Sequence, residues 1–109
     1  MSDVASNRPD ALEQCKSAHR ALAVLRMLGR EPSYASNEEI IDFYFAQLGL
    51  TCPRARVRDC LEMLERSGLI EISKVETLMV VRLTAKGEEA GSGLVEFDGV
   101  LKPGIDCSY

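Results

Sequence analysis

Apolar residues recur every three or four positions through Leu12, Cys15, Ala18, Leu22, Leu25 and Leu28, with Ala21, Val24 and Met27 widening the stripe. That spacing predicts a helix. It opens near Pro9, a residue suited to a first helical turn, and closes at Gly29. A loop with Pro32 and Ser33 follows. Ser36 with Glu39 three residues on makes a capping-box pattern ahead of a second stripe, Ile40, Ile41, Tyr44, Phe45 and Leu48, which Gly49 stops. The third stripe, Val57, Cys60, Leu61 and Leu64, predicts a helix over Pro53–Ser67, with Thr51 as its N-cap and Pro53 in its first turn.

The pattern then changes. Leu69–Ser73 and Leu78–Leu83 are short and rich in β-branched or long apolar residues, and Lys74–Thr77 separates them, so they read as a β-hairpin. Thr84 caps a short segment, Ala85–Ala90, which Gly91 and Gly93 break. The division expected is a flexible arm at 1–8, a folded domain at 9–91 and a tail at 92–109 without assignable regular structure. A short turn containing Gly49 joins the second and third helices, which is the helix-turn-helix description. With the hairpin, the fold expected is mainly α: a winged helix-turn-helix of three helices, a two-stranded wing and a short C-terminal helix.

Charge narrows what such a domain does. The 109 residues carry 13 Lys and Arg against 17 Asp and Glu, a formal net charge of −4. A duplex-binding domain usually has a basic footprint, so here any basic surface must be local. No run approaches the roughly 20 apolar residues of a membrane span, and the first ten residues contain no signal-type apolar core. The expected compartment is the cytoplasm, with reduced thiols.

The local basic surface is Arg54, Arg56 and Arg58, at the start of the third helix. In a helix-turn-helix the second helix of the pair enters the major groove, and its N-terminal residues reach bases and phosphates. Arginine pairs bidentately with guanine or phosphate. Arg54 and Arg58 share one face, while Arg56 points roughly 200° around the helix from Arg54. Thr51 lies just ahead, and Lys74 at the expected hairpin tip offers a phosphate contact, with Arg82 a further candidate on the second strand. Set against this, the arginines also suit a solvated face with ion pairs to Asp59, Glu62 or Glu65. Glu38, Glu39 and Asp42 open the second helix, where they complement its dipole and add solubility, but they weaken a basic DNA face.

Other chemistry is poorly served. Cys15, Cys52, Cys60 and Cys107 form no CxxC or CxC pair, and His19 is the lone histidine, so no metal site or cofactor is expected. Cys15 and Cys60 read as small core residues. Cys52, near a helix N-terminus that lowers thiol pKa, leaves open a redox-responsive regulator using Cys52 or Cys107. No nucleophile or paired carboxylate stands against His19, and Gly91-Ser92-Gly93 is no phosphate loop. No enzyme is expected. The first helix's stripe is wider than a three-helix core needs, which points to a homodimer through that helix, matching palindromic half-sites.

Three stretches carry a resemblance: "HRALAVLRMLGREPSYASNEEIIDFYFAQLGL", "RARVRDCLEMLERSGLIEI" and "VVRLTAKGEEAGSGLVEFDGVLKP". With "PSYASNEEI", "LERSGLI" and "LTAKGEEAGSG…GVLKP" as the distinctive parts, the chain resembles the small ArsR-like winged-helix proteins of Mu-like phages and prophages, over roughly residues 19–103. The resemblance implies a winged helix from a phage or prophage gene. It implies no defined activity, and the metal-binding motifs of ArsR repressors are not matched. Two functions follow from the sequence: a DNA-binding transcriptional regulator acting on double-stranded DNA, or a winged-helix protein adaptor without DNA binding.

Overall fold

Each helical stripe covers a surface over part of its length, leaving Leu12, Cys15 and Ile40 exposed. The computed structural model describes residues 2–104 and 107–109, with residues 2–9 as backbone alone. Its elements run α1 (Ser2–Arg30), β1 (Ala35–Asn37), α2 (Glu38–Gln47), α3 (Arg54–Arg66), β2 (Ile70–Val75), β3 (Leu78–Leu83) and α4 (Ala85–Gly91). Among the described residues this is a mixed α/β domain of four helices and one three-stranded antiparallel sheet, ordered β1-β3-β2.

The third strand is a departure from the expected two-stranded hairpin. Ala35, Ser36 and Asn37 pair with Arg82, Val81 and Val80. Three half-buried residues carry no alternation to read. The free edge of β3 recruits them, so Ser36 is a strand residue rather than a cap. Asn37 caps α2 instead: its Oδ1 accepts the Glu39 and Ile40 N–H groups at 2.9 and 3.0 Å.

Other boundaries shift for local reasons. The backbone at 2–8, expected as a separate arm, continues α1 as helix. Proline fixes φ near the helical value, so Pro9 signals a helix without marking its first residue. Met1 lies outside the described residues. Residues 48–53 join α2 to α3, a longer turn than the expected three or four. Gly49 turns the chain there at φ +73°, and Leu50 N–H closes on the Phe45 carbonyl at 2.7 Å. Thr51 does not cap α3. Pro53 holds that position without a side-chain bond, and its carbonyl accepts the Arg56 and Val57 N–H groups. The hairpin turns at Glu76 and Thr77, because Val75 pairs with Leu78. Lys74 therefore stands within β2 opposite Met79, not at the tip.

The core lies between α1, the inner faces of α2 and α3, and the sheet. Phe45, Ile41, Val57, Leu61 and Leu64 meet Met79, Val81 and Leu83, alternate residues of β3. Leu12 and Cys15 stay exposed, since the early turns of α1 run past this core. From Arg20 to Leu25 every residue of α1 is buried. The reason is at the other end of the chain. Thr84 caps α4 through Gly87 N–H and donates to the Gly68 and Leu69 carbonyls. At Gly87 a Cβ would lie 2.0 Å from the Leu69 carbonyl oxygen, so only glycine lets α4 approach Leu69, just ahead of β2, this closely. The tail then returns along α1: Leu101 N–H bonds the Ala18 carbonyl, and Phe97, Val100 and Tyr109 pack on the core. The surplus width of the α1 stripe is thus covered by the chain's own α4 and tail.

Candidate nucleic-acid interface

Arg54, Arg56 and Arg58 open α3, and the helix distributes them over two faces as the 200° rotation requires. On one face, Arg58 grips Glu38 bidentately, Nε to Oε1 at 2.8 Å and Nη2 to Oε2 at 3.1 Å. Arg54 Nη1 stands 3.4 Å from the same carboxylate, and its Nη2 is 3.9 Å from Asp42. Glu38 is fully buried and also accepts the Met79 N–H at 2.6 Å. One carboxylate thus ties the start of α2, the start of α3 and β3 together. The Arg58 hydrogen bonds are the largest of the causes that hold its pKa down at about 2, and burial opposes them. Arg58 further donates to the Thr77 carbonyl at 3.2 Å, so the hairpin turn rests against this face of α3.

On the other face, Arg56 Nη1 meets Glu13 at 3.0 Å. Glu13 also accepts from Arg20 at 2.6 Å, and Arg20 Nε holds the Leu50 carbonyl at 2.8 Å. Arg20 is buried. The Arg20 hydrogen bond leads in lowering the Glu13 pKa.

The expected contact residues therefore split. Arg54 and Arg58 converge on one edge beside the hairpin turn. Arg56 belongs to a separate network with α1. Thr51 is exposed in the α2–α3 turn, and Lys74 is exposed on β2. The ion-pair partners are Glu38, Asp42 and Glu13, not Asp59, Glu62 or Glu65. By its sequence position Glu38 is a dipole-complementing surface acid, yet in the fold it is the buried hub. The clue available in sequence is its place directly after the true cap, Asn37, where the helix start is pressed onto the sheet.

The remaining candidates resolve simply. Cys15 is exposed rather than core, and Cys60 is buried with its thiol pushed up to about 12 by desolvation. Burial also raises the Cys52 thiol, opposite to the lowering expected beside a helix N-terminus. His19 Nδ1 shares a 2.6 Å hydrogen bond with the Tyr109 hydroxyl, ring edge to face, and so anchors the tail. Among the described residues no group of three His, Cys, Asp or Glu is placed to hold a metal ion, and no helix is long and apolar enough to cross a membrane. Comparison with family models, with curated proteins and with solved structures returns no match.

Proposed function

We propose that this chain is a winged-helix DNA-binding protein of the regulatory kind, with α2 and α3 as its helix-turn-helix and β2–β3 as its wing. The observation that carries the reading is the Glu38 clamp. It holds Arg54 and Arg58 side by side on the outward edge of α3, next to the hairpin turn. A guanidinium has five N–H donors. Arg58 uses Nε and Nη2 on protein acceptors, which leaves Nη1 to face a phosphate or a guanine edge. Fixing the back of the fork lowers the ordering cost of a contact. The resemblance to ArsR-like winged-helix proteins of Mu-like phages bears on the winged-helix fold alone and implies no activity, so the DNA reading rests on the arginines.

The clamp also sets a limit. Two arginines meet two carboxylates, Glu38 and Asp42, so the edge is close to neutral. Few counterions are released on binding, and the salt dependence is shallow compared with a basic repressor. Selection from a random duplex pool with the full chain, followed by fluorescence anisotropy at two salt concentrations, tests this. A selected sequence bound with salt sensitivity, and weakened by Arg54→Ala and by Lys74→Ala, is the expected result. Arg58→Ala is the wrong probe, because it strands buried Glu38. Binding no sequence above background in either salt sinks the DNA reading.

A second reading is favoured by one observation. Ile40 and Phe43, three apart on α2, are 50% and 65% exposed, and large exposed apolar neighbours mark protein contacts. This supports a winged-helix adaptor. Failure of the DNA selection together with unchanged folding makes it the reading to pursue.

A further inference from the structure

We infer that the groove between α1, α3 and the tail is a binding site for an amphipathic organic cation, an ammonium group carried on a compact apolar body. The cavity measures about 590 Å³, within the roughly 300–1,000 Å³ of small-molecule sites. Ala18 lines it from α1, Cys60 and Met63 from α3, and Gly99 from the tail. The Leu101 N–H bond to the Ala18 carbonyl, 3.1 Å, draws the tail against α1 beside it. Gly99, at φ +84°, faces Met63: a Cβ there would stand 3.3 Å from Met63 Cε. A larger residue would crowd Met63 and narrow the groove at its tail side.

Charge selects the ligand. Arg56 and Glu13 are committed to each other, and Glu13 is also held by Arg20. Asp59 lines the same groove, is exposed, and makes no ion pair among the described residues. It is the carboxylate left to take a charge. Arg56 keeps donors that Glu13 does not take, but an anion reaching them would lie beside both Glu13 and Asp59. A cation avoids that repulsion: its ammonium meets Asp59 while its body covers Ala18 and Met63. Nothing in this depends on α3 touching DNA.

The probe is 1-naphthylmethylamine, with 1-naphthylacetate as the matched anion, each titrated into the full ¹⁵N-labelled chain without DNA. Saturable amine binding is expected, with amide shifts centred on Cys60, Met63 and Gly99. Asp59→Asn, a change at an exposed position, should weaken it about tenfold, the loss of one charge-assisted contact. Ser17→Phe, which fills the groove from α1, should abolish it. If Ser17→Phe does not fold, Asp59→Asn carries the test alone. Absence of saturable binding, equal binding of the acetate, shifts centred elsewhere, or an unaffected Asp59→Asn variant each overturns the inference.

Discussion

Two Glu–Arg networks brace opposite sides of α3, and they are inverted copies of one idea. In the network at the hairpin the carboxylate is buried and the arginines are exposed: Glu38 is 1% accessible, Arg58 38% and Arg54 42%. In the network at α1 the guanidinium is buried and the carboxylate is outside: Arg20 is 3% accessible and Glu13 31%. The shortest contact in each is similar, 2.8 Å at Glu38 and 2.6 Å at Glu13, yet the consequences differ. A buried charge is costly when its partner is removed, whereas an exposed one returns to water. A buried carboxylate can also relieve itself by taking a proton, but a guanidinium cannot. Which member is inside therefore decides which substitution hurts and whether pH matters.

The largest effect expected from this asymmetry is at Glu13. Its replacement by alanine leaves Arg20 charged and buried with only the Leu50 carbonyl, and should lower the unfolding free energy by about 3 kcal/mol. Denaturant titration measures it. Adding Arg20→Met should recover much of the loss, since the stranded charge goes with it. Equal stability of the single and double variants would break the comparison.

The next effect is pH dependence at Glu38. Its folded pKa, about 2, is depressed from an ordinary 4.5. The stabilisation is complete above 4.5 and is lost as pH falls towards 2. It amounts to about 3 kcal/mol at most by linkage. Glu38→Gln should flatten that part of the stability–pH curve, and a Gln variant that keeps the wild-type slope would place the titration elsewhere.

Arg58→Ala sharpens the point by its sign. Without Arg58 the buried carboxylate resists ionisation, so the stability deficit against wild type should be larger at pH 7 than at pH 4. A deficit independent of pH would show that Arg58 acts by packing alone. The smallest effect is expected from Arg54→Ala. Its longer, exposed contacts contribute less than about 1 kcal/mol, which makes it the cleanest variant for a DNA titration.

Much of the chain was legible in its periodicity. The stripes of α2 and α3 and the hairpin follow from spacing, and Thr84 caps α4 as its sequence predicts. Arg54 and Arg58 sharing a face needed only helix geometry. Other features were hidden for physical reasons. β1 is three residues long and exists because β3 offers an edge. Leu12 and Cys15 continue the α1 stripe, yet both stay exposed. The tail, without helix or strand among its described residues, covers α1 through isolated contacts such as Leu101 to Ala18 and Tyr109 to His19.

By itself the amino-acid sequence determined the helices α2 and α3, the hairpin, and where α3 places its arginines, because these depend on spacing within one segment. Only the tertiary structure decided what the arginines hold. Glu38 and Arg58 are 20 residues apart, Glu13 and Arg56 lie on different helices, and Met79 comes from β3, the central strand. Charge and spacing allow all of these pairings, but burial selects among them, and burial is a property of the assembled chain.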